Sequence, residues 1–125
     1  MTKILIKRLS KEISLPKYET AGSSGMDLAA NIVDNINVDP GKTAIIPTGL
    51  ALSVPKGFEV QIRPRSGLAA KQKISVLNTP GTIDSDYRGE IKVILINLGD
   101  NSYTVERGTR IAQMVVCPIV QAQLK

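Results

Sequence analysis

The residues that usually run hydrolytic chemistry are unevenly present in this chain. It contains no histidine and a single cysteine, Cys117. A Ser-His-Asp triad, a Cys-His pair and any imidazole metal ligand are therefore excluded. Acid–base work near neutral pH falls to a carboxylate, a lysine, a tyrosine or metal-activated water. One cysteine builds no internal disulfide, and without a CxxC pair there is no structural zinc site. A reducing compartment fits that usage, and Cys117 itself reads as a small core residue.

Four stretches are more polar or more glycine-rich than their surroundings, and the candidate chemistry lies there. Ala21-Gly22-Ser23-Ser24-Gly25-Met26-Asp27-Leu28-Ala29-Ala30 reads either as a flexible loop presenting the Asp27 carboxylate or as a loop entering a strand. Arg63-Pro64-Arg65-Ser66-Gly67-Leu68-Ala69-Ala70-Lys71 contains one plausible helical turn, with Ser66 as its N-cap. Unpaired backbone N–H groups at such a turn, beside Arg65 and the Ser66 hydroxyl, would make an anion site; an ordinary capped surface turn is the alternative.

The third stretch, Asn78-Thr79-Pro80-Gly81-Thr82-Ile83-Asp84-Ser85-Asp86-Tyr87-Arg88-Gly89-Glu90, lies between two apolar segments and reads as an extended hairpin. Its backbone donors and acceptors could pair with a flat base edge. Strand alternation would place Asp84 and Asp86 on one face and Tyr87 on the other. In the fourth, Arg107-Gly108-Thr109-Arg110-Ile111-Ala112-Gln113-Met114-Val115, a Gln interrupts an apolar strand. Buried, Gln113 needs hydrogen bonds or costs about 1–3 kcal/mol, and it could brace the second stretch, touch a ligand or face solvent from an edge.

Period-two patterning dominates the elements that must position these groups. Phe58-Glu59-Val60-Gln61-Ile62-Arg63 alternates as a half-buried strand does. Glu90 to Val93 starts the same way and then becomes the run Ile94-Leu95-Ile96, which suits a strand covered on both faces, in a sandwich centre or at a subunit interface. Ile111 to Val120 reads similarly, with Pro118 expected at an edge or strand end. Asp39-Pro40-Gly41, Pro55-Lys56-Gly57, Thr79-Pro80-Gly81 and Leu98-Gly99-Asp100-Asn101 cut these strands as turns. The pattern predicts an all-β sandwich or barrel in a single domain over residues 1–125.

Composition narrows the partners. The chain carries 16 Lys and Arg against 11 Asp and Glu, a net charge of +5 with pI ≈ 9.5. That balance suits an anionic partner such as a phosphate-bearing small molecule. Aromatics at 3% with no Trp leave no stacking platform for single-stranded nucleic acid. The amino-terminal apolar residues are broken by Lys7 and Arg8, with no signal-peptide h-region, and no apolar run approaches a bilayer span. A soluble, cytoplasmic protein is expected.

Taken in order, the four stretches resemble the first four motifs of the trimeric dUTPase family. AGSSGMDLAA is similar to motif one, PRSGLAAK to motif two, LNTPGTIDSDYRGE to motif three and RGTRIAQMVV to motif four, covering Tyr18 to Val116. The resemblance implies a β jelly roll with at most one short helical turn after motif two. It also implies a homotrimer with active sites shared between subunits, and hydrolysis of dUTP to dUMP and pyrophosphate. By position, Asp84 would hold and polarise the attacking water, and Asp27 would reach Mg2+ through bound water. Arg65, Ser66 and Gly67 would bind phosphates, and Gln113 would brace motif two. Asn78 would read the uracil edge, helped by backbone near Thr82, Ile83 and Lys92, while Tyr87 would pack on the deoxyribose.

The family's glycine-rich fifth motif has no counterpart in Val120-Gln121-Ala122-Gln123-Leu124-Lys125. Either the sequence is truncated before that motif or the natural protein lacks it; if the lid is truly missing, turnover is expected to weaken before nucleotide binding does. Three other readings compete. A dCTP deaminase shares part of motif three, but alignment on Gly89 puts Ile94 where its catalytic glutamate belongs. A weakly catalytic regulatory relative is opposed by Asn78, Asp84 and Tyr87, and a nucleic-acid-binding β domain rests on charge alone.

Overall fold

Alternation along Phe58–Arg63 does what period-two patterning dictates: Val60 and Ile62 are buried, while Glu59, Gln61 and Arg63 stay partly exposed. The computed structural model describes residues 1–125. Ten strands and one helix follow in order: β1 (Leu5–Arg8), β2 (Gly25–Ala29), β3 (Ile36–Val38), β4 (Thr43–Ser53), β5 (Phe58–Arg63), α1 (Ser66–Gln72), β6 (Ile74–Val76), β7 (Gly81–Ile83), β8 (Glu90–Asn97), β9 (Tyr103–Val105) and β10 (Arg110–Pro118).

Every strand pair is antiparallel. One sheet runs β1-β4-β8-β6, a second runs β2-β10-β5-β7, and β3 with β9 forms a small ribbon. Their inward faces share one cluster of 19 buried residues, with Ile46, Val93 and Leu95 from the first sheet against Leu28, Val60 and Ile111 from the second. Chain crossings between two antiparallel sheets give the jelly-roll sandwich that the pattern predicts. Truncating a fully buried side chain such as Leu95 to Ala would cost about 2–5 kcal/mol.

The predicted strands hold well. Pro118 ends β10, where its missing N–H costs the ladder little. β8 is central in its sheet; Ile91, Val93 and Leu95 point inward, while Ile94 and Ile96 remain half-buried on the outer face. The turns at Gly41 and Gly57 adopt positive φ, 77° and 91°, which a side chain would strain. On β4 the register slips between Pro47 and Ala51. The Thr48 hydroxyl fills that bulge by donating to the Ile91 carbonyl at 2.6 Å, and the Glu90 carboxylate accepts from Gly49 N at 2.9 Å.

Three local expectations change. Ser66 is not the N-cap: Arg65 occupies that position with extended backbone (φ −84°, ψ 129°), and no side chain caps the helix. Pro64 has no N–H to give the ladder, so β5 ends at Arg63, and the helix starts at Ser66. The helix is also longer than the single turn expected, with seven residues and a left-handed C-cap at Lys73. Motif three is not a simple hairpin either. After β6 pairs with β8, the chain crosses to the other sheet, where β7 pairs with β5, before returning as β8. Asp84 and Asp86 then flank a turn, closed by Tyr87 N donating to Asp84 O at 3.1 Å, so strand alternation does not govern where they point.

Candidate active site

Strand register brings motifs one, two and four together. Asp27 of β2 pairs with Gln113 of β10, and Gln113 pairs with Arg63 at the end of β5. Asp27 therefore stands on a strand, in line with the loop-into-strand reading of its segment. Arg65 Nε donates to Asp27 Oδ1 at 3.0 Å, and Arg110 NH1 lies 3.5 Å from Asp27 Oδ2. Arg110 also reaches Glu19 at 3.8 Å, and Arg65 donates to the Arg110 carbonyl at 3.3 Å. Gln113 Nε2 donates to the Pro64 carbonyl at 3.0 Å, so Gln113 does brace motif two. It is half-buried on a central strand, which removes the edge-strand alternative.

The result is a charged corner in which two guanidiniums, Arg65 and Arg110, meet two carboxylates, Asp27 and Glu19, with the exposed first turn of α1 following directly on Arg65. Guanidinium forks and free N–H groups match phosphate oxygens, which is the chemistry an anion could use at this corner. No three His, Cys, Asp or Glu side chains converge anywhere in the chain, so a cation bound by protein ligands alone finds no cage. A carboxylate beside an anion site suits a hydrated hard cation carried by the anion itself.

Beside this corner, a cavity of about 530 Å³ runs along the N-terminal segment, lined among others by Glu12, Lys17, Asn31, Thr48 and Arg107. Glu12 is held below the usual carboxylate range, first by a backbone hydrogen bond, then by the Ser10 hydroxyl and the Arg107 charge. Tyr103 of β9 is pushed above the usual phenol value by burial, against the opposing pull of the Arg65 charge.

Motif three forms a separate group. The Asn78 amide nitrogen folds over Gly81, where an added methyl would sit only 3.2 Å away. Thr82 and Ile83 lie on β7 opposite Gln61 and Val60. Tyr87 donates its hydroxyl to the Glu90 carbonyl at 2.8 Å, and its ring lies where any side chain at Gly89 would have to go. Lys92 is exposed on β8 and Asp84 is exposed beyond β7.

No hydrogen bond or ion pair joins the two groups. β2 and β7 are the two edges of one four-stranded sheet, and Ile83 pairs with Val60, three residues from the Arg63 level that Asp27 shares. Three strand spacings sideways and three residues lengthwise separate Asp27 from Ile83 by roughly 17 Å. Asp84, past the end of β7, lies farther along still. Within one copy of this chain the two carboxylates therefore stand at opposite edges of the sheet.

Sequence reasoning passed over Arg110 and Glu19. Arg110 lies inside motif four, but its link to Asp27 depends on a register shift between β2 and β10, which no residue pattern announces.

Comparisons with known proteins bear on the family and the fold. The dUTPase family model matches residues 11–125. The deoxyuridine 5'-triphosphate nucleotidohydrolase of Brucella melitensis is 58% identical over 118 residues, 93% of this chain and 75% of that one. Its counterpart in Ehrlichia canis is 58% identical over 97% of this chain and 81% of its own length. Among solved structures, a variant of the Staphylococcus bacteriophage 80alpha dUTPase with dUpNHpp superposes with a TM-score of 0.89 at 25% identity, covering all of this chain and 88% of that one. The dUTPase of phage phi11 of S. aureus, described with a structural Mg(II) ion, superposes at 0.88 with 21% identity over 98% of this chain and 95% of its own, a likeness of fold. With the motifs in order, the jelly roll built and close relatives matched over most of its length, the chain belongs to the dUTPase family.

Proposed function

We propose that this protein is a dUTP diphosphatase, hydrolysing dUTP to dUMP and pyrophosphate, which limits uracil in DNA and supplies dUMP for thymidylate synthesis. The carrying observation is the Asp27–Arg65–Gln113 corner, set in a chain 58% identical to curated deoxyuridine 5'-triphosphate nucleotidohydrolases.

In this reading the triphosphate lies on Arg65 and the backbone of Ser66 and Gly67, with Gln113 holding that turn through Pro64. Asp84 takes a proton from a water aimed at the α-phosphorus, a role that needs no histidine. Asn78 and the backbone at Thr82, Ile83 and Lys92 match the donor and acceptor order of the uracil edge. Tyr87, fixed by its bond to Glu90, stacks on the deoxyribose and leaves no room for a 2′-hydroxyl. Pairing of polar groups sets uracil apart from cytosine, and the shape of the motif-three segment excludes the 5-methyl group of thymine. Mg2+ bound to the triphosphate, with Asp27 reaching it through water, would neutralise phosphate charge and set its geometry.

The roughly 17 Å between Asp27 and Ile83 supports a homotrimer in which a neighbouring copy brings motif three to the corner. The outer face of the first sheet supports it too: Ile45, 62% exposed, pairs with Ile94 beside Ile96 in an apolar strip. The reading places the 125 residues as one domain in the cytoplasm, with neither nucleic acid nor membrane as a stable partner. No helix is long and apolar enough to cross a membrane.

Pyrophosphate release from dUTP with magnesium, beside dCTP, dTTP, UTP and an Asp84→Asn variant, tests it. Release confined to dUTP and lost in the variant is the expected result. Equal release from dCTP, or full activity in the variant, would overturn it.

A further inference from the structure

We infer that Gly25 is a positioning residue for the triphosphate turn: the space left by its missing side chain is the seat of the Gln113 carboxamide. The inference rests on the proposed phosphate role of Arg65, Ser66 and Gly67. Gly25 opens β2, two residues before Asp27, and pairs with Val115 of β10. Its φ is not in the left-handed region, so nothing in its backbone requires glycine. What requires it is a neighbour. A Cβ built at Gly25 collides with Gln113 Oε1 and comes within 3.2 Å of both Gln113 Cδ and Val115 Cγ2.

That carboxamide has one other engagement. Its Nε2 donates to the Pro64 carbonyl at 3.0 Å, one residue before Arg65. Oxygen over Gly25 and nitrogen on Pro64 are two ends of one rigid planar group, so displacing the first must move the second. The colliding atom is the far end of a flexible side chain on a half-buried residue, so an added methyl turns Gln113 aside rather than breaking the sheet. Gly25 thereby sets the turn that carries Arg65 without touching any ligand. The Gly22, Gly41, Gly57, Gly67 and Gly108 positions, by contrast, have open space where a Cβ would go.

A double-mutant cycle tests this, with Gly25→Ala, Gln113→Ala and the pair, read by binding of dUpNHpp with magnesium. Each single variant should weaken binding by about 10-fold, the net worth of one hydrogen bond, with uracil recognition, read by deoxyuridine inhibition, unchanged. In the Gln113→Ala background, Gly25→Ala should add no more than about a 2-fold loss, because the group it displaces is gone. Losses that multiply in the double variant, or unchanged binding in Gly25→Ala, would overturn the inference. Should Gly25→Ala fail to fold while the pair folds, the steric conflict is borne out; if neither folds, the glycine serves the strand and the inference falls. The carboxamide resonance of Gln113, followed by NMR without nucleotide, should move in Gly25→Ala, and its constancy would overturn the seat. That spectrum decides the matter even if the wild-type protein binds no dUpNHpp, a result that would sink the proposed function alone.

Discussion

Arg65 holds Asp27: its Nε lies 3.0 Å from the carboxylate Oδ1, with 34% and 24% of the two side chains exposed. The residue assigned to phosphate is thus engaged with the residue assigned to the metal's water shell. In the proposed reading a triphosphate competes with Asp27 for the Arg65 guanidinium, and a cation arriving with it would compensate Asp27. Asp27→Asn keeps the shape and removes the charge. Metal-free dUpNHpp should then bind about 3- to 10-fold tighter, in proportion to a partly exposed ion pair, while the gain from adding magnesium shrinks. Calorimetry with and without chelator reads both, and weaker metal-free binding would contradict the exchange.

Tyr103 makes alkaline stability a second readout. Burial raises its folded-state value above the usual phenol range, with the Arg65 charge opposing. A folded value above the unfolded value near 10 means its contribution is complete below about pH 10 and is lost as pH climbs through the folded value. Tyr103→Phe removes the ionisation and should flatten the fall in stability above about pH 10. Denaturant midpoints from pH 8 upward check it. An unchanged slope would show that other groups govern alkaline unfolding.

Asn97 offers a stability test away from the site. It is fully buried at the end of β8, donating to the carbonyls of Val38 and Asn101 and accepting from Gly99 N, all within 2.9 Å. Its amide ties the β3–β9 ribbon to the first sheet. Asn97→Ala strands three backbone groups and should cost about 2–4 kcal/mol, read by urea unfolding with an unchanged slope. A loss below about 1 kcal/mol would mean that water replaces the amide.

Strands such as β5 were legible because alternation reports burial of a residue and its second neighbours, all within one element. Whatever depended on pairing between distant segments was not. Motif three reads as one hairpin locally, yet β7 pairs across the sandwich with β5, a choice set by packing. Ser66 has the chemistry of a cap, but it is already the first helical residue and Arg65, extended, holds the cap position. Arg110 meets Asp27 only after a bulge in the β2–β10 ladder. The candidate site residues were named from their motifs alone, and where each stands in the sheets came only with the register.

That placement carries the sharpest prediction. Asp27 and Asp84 belong to opposite edges of one sheet, roughly 17 Å or more apart by strand spacing, so a site using both takes them from different copies. Asp27→Asn and Asp84→Asn chains should each be nearly inactive alone. Refolded together at equal amounts, mixed assemblies would contain sites drawing Asp27 from an Asp84→Asn chain and Asp84 from an Asp27→Asn chain. Random assembly across a heterologous interface gives about one quarter of sites with both carboxylates intact. Activity should therefore recover to about a quarter of wild type on mixing, and a chain carrying both substitutions should rescue neither parent. If each copy instead brings its own two carboxylates together by rearrangement, every site in the mixture lacks one of them. The mixture would then stay as inactive as its components, and shared sites would be refuted.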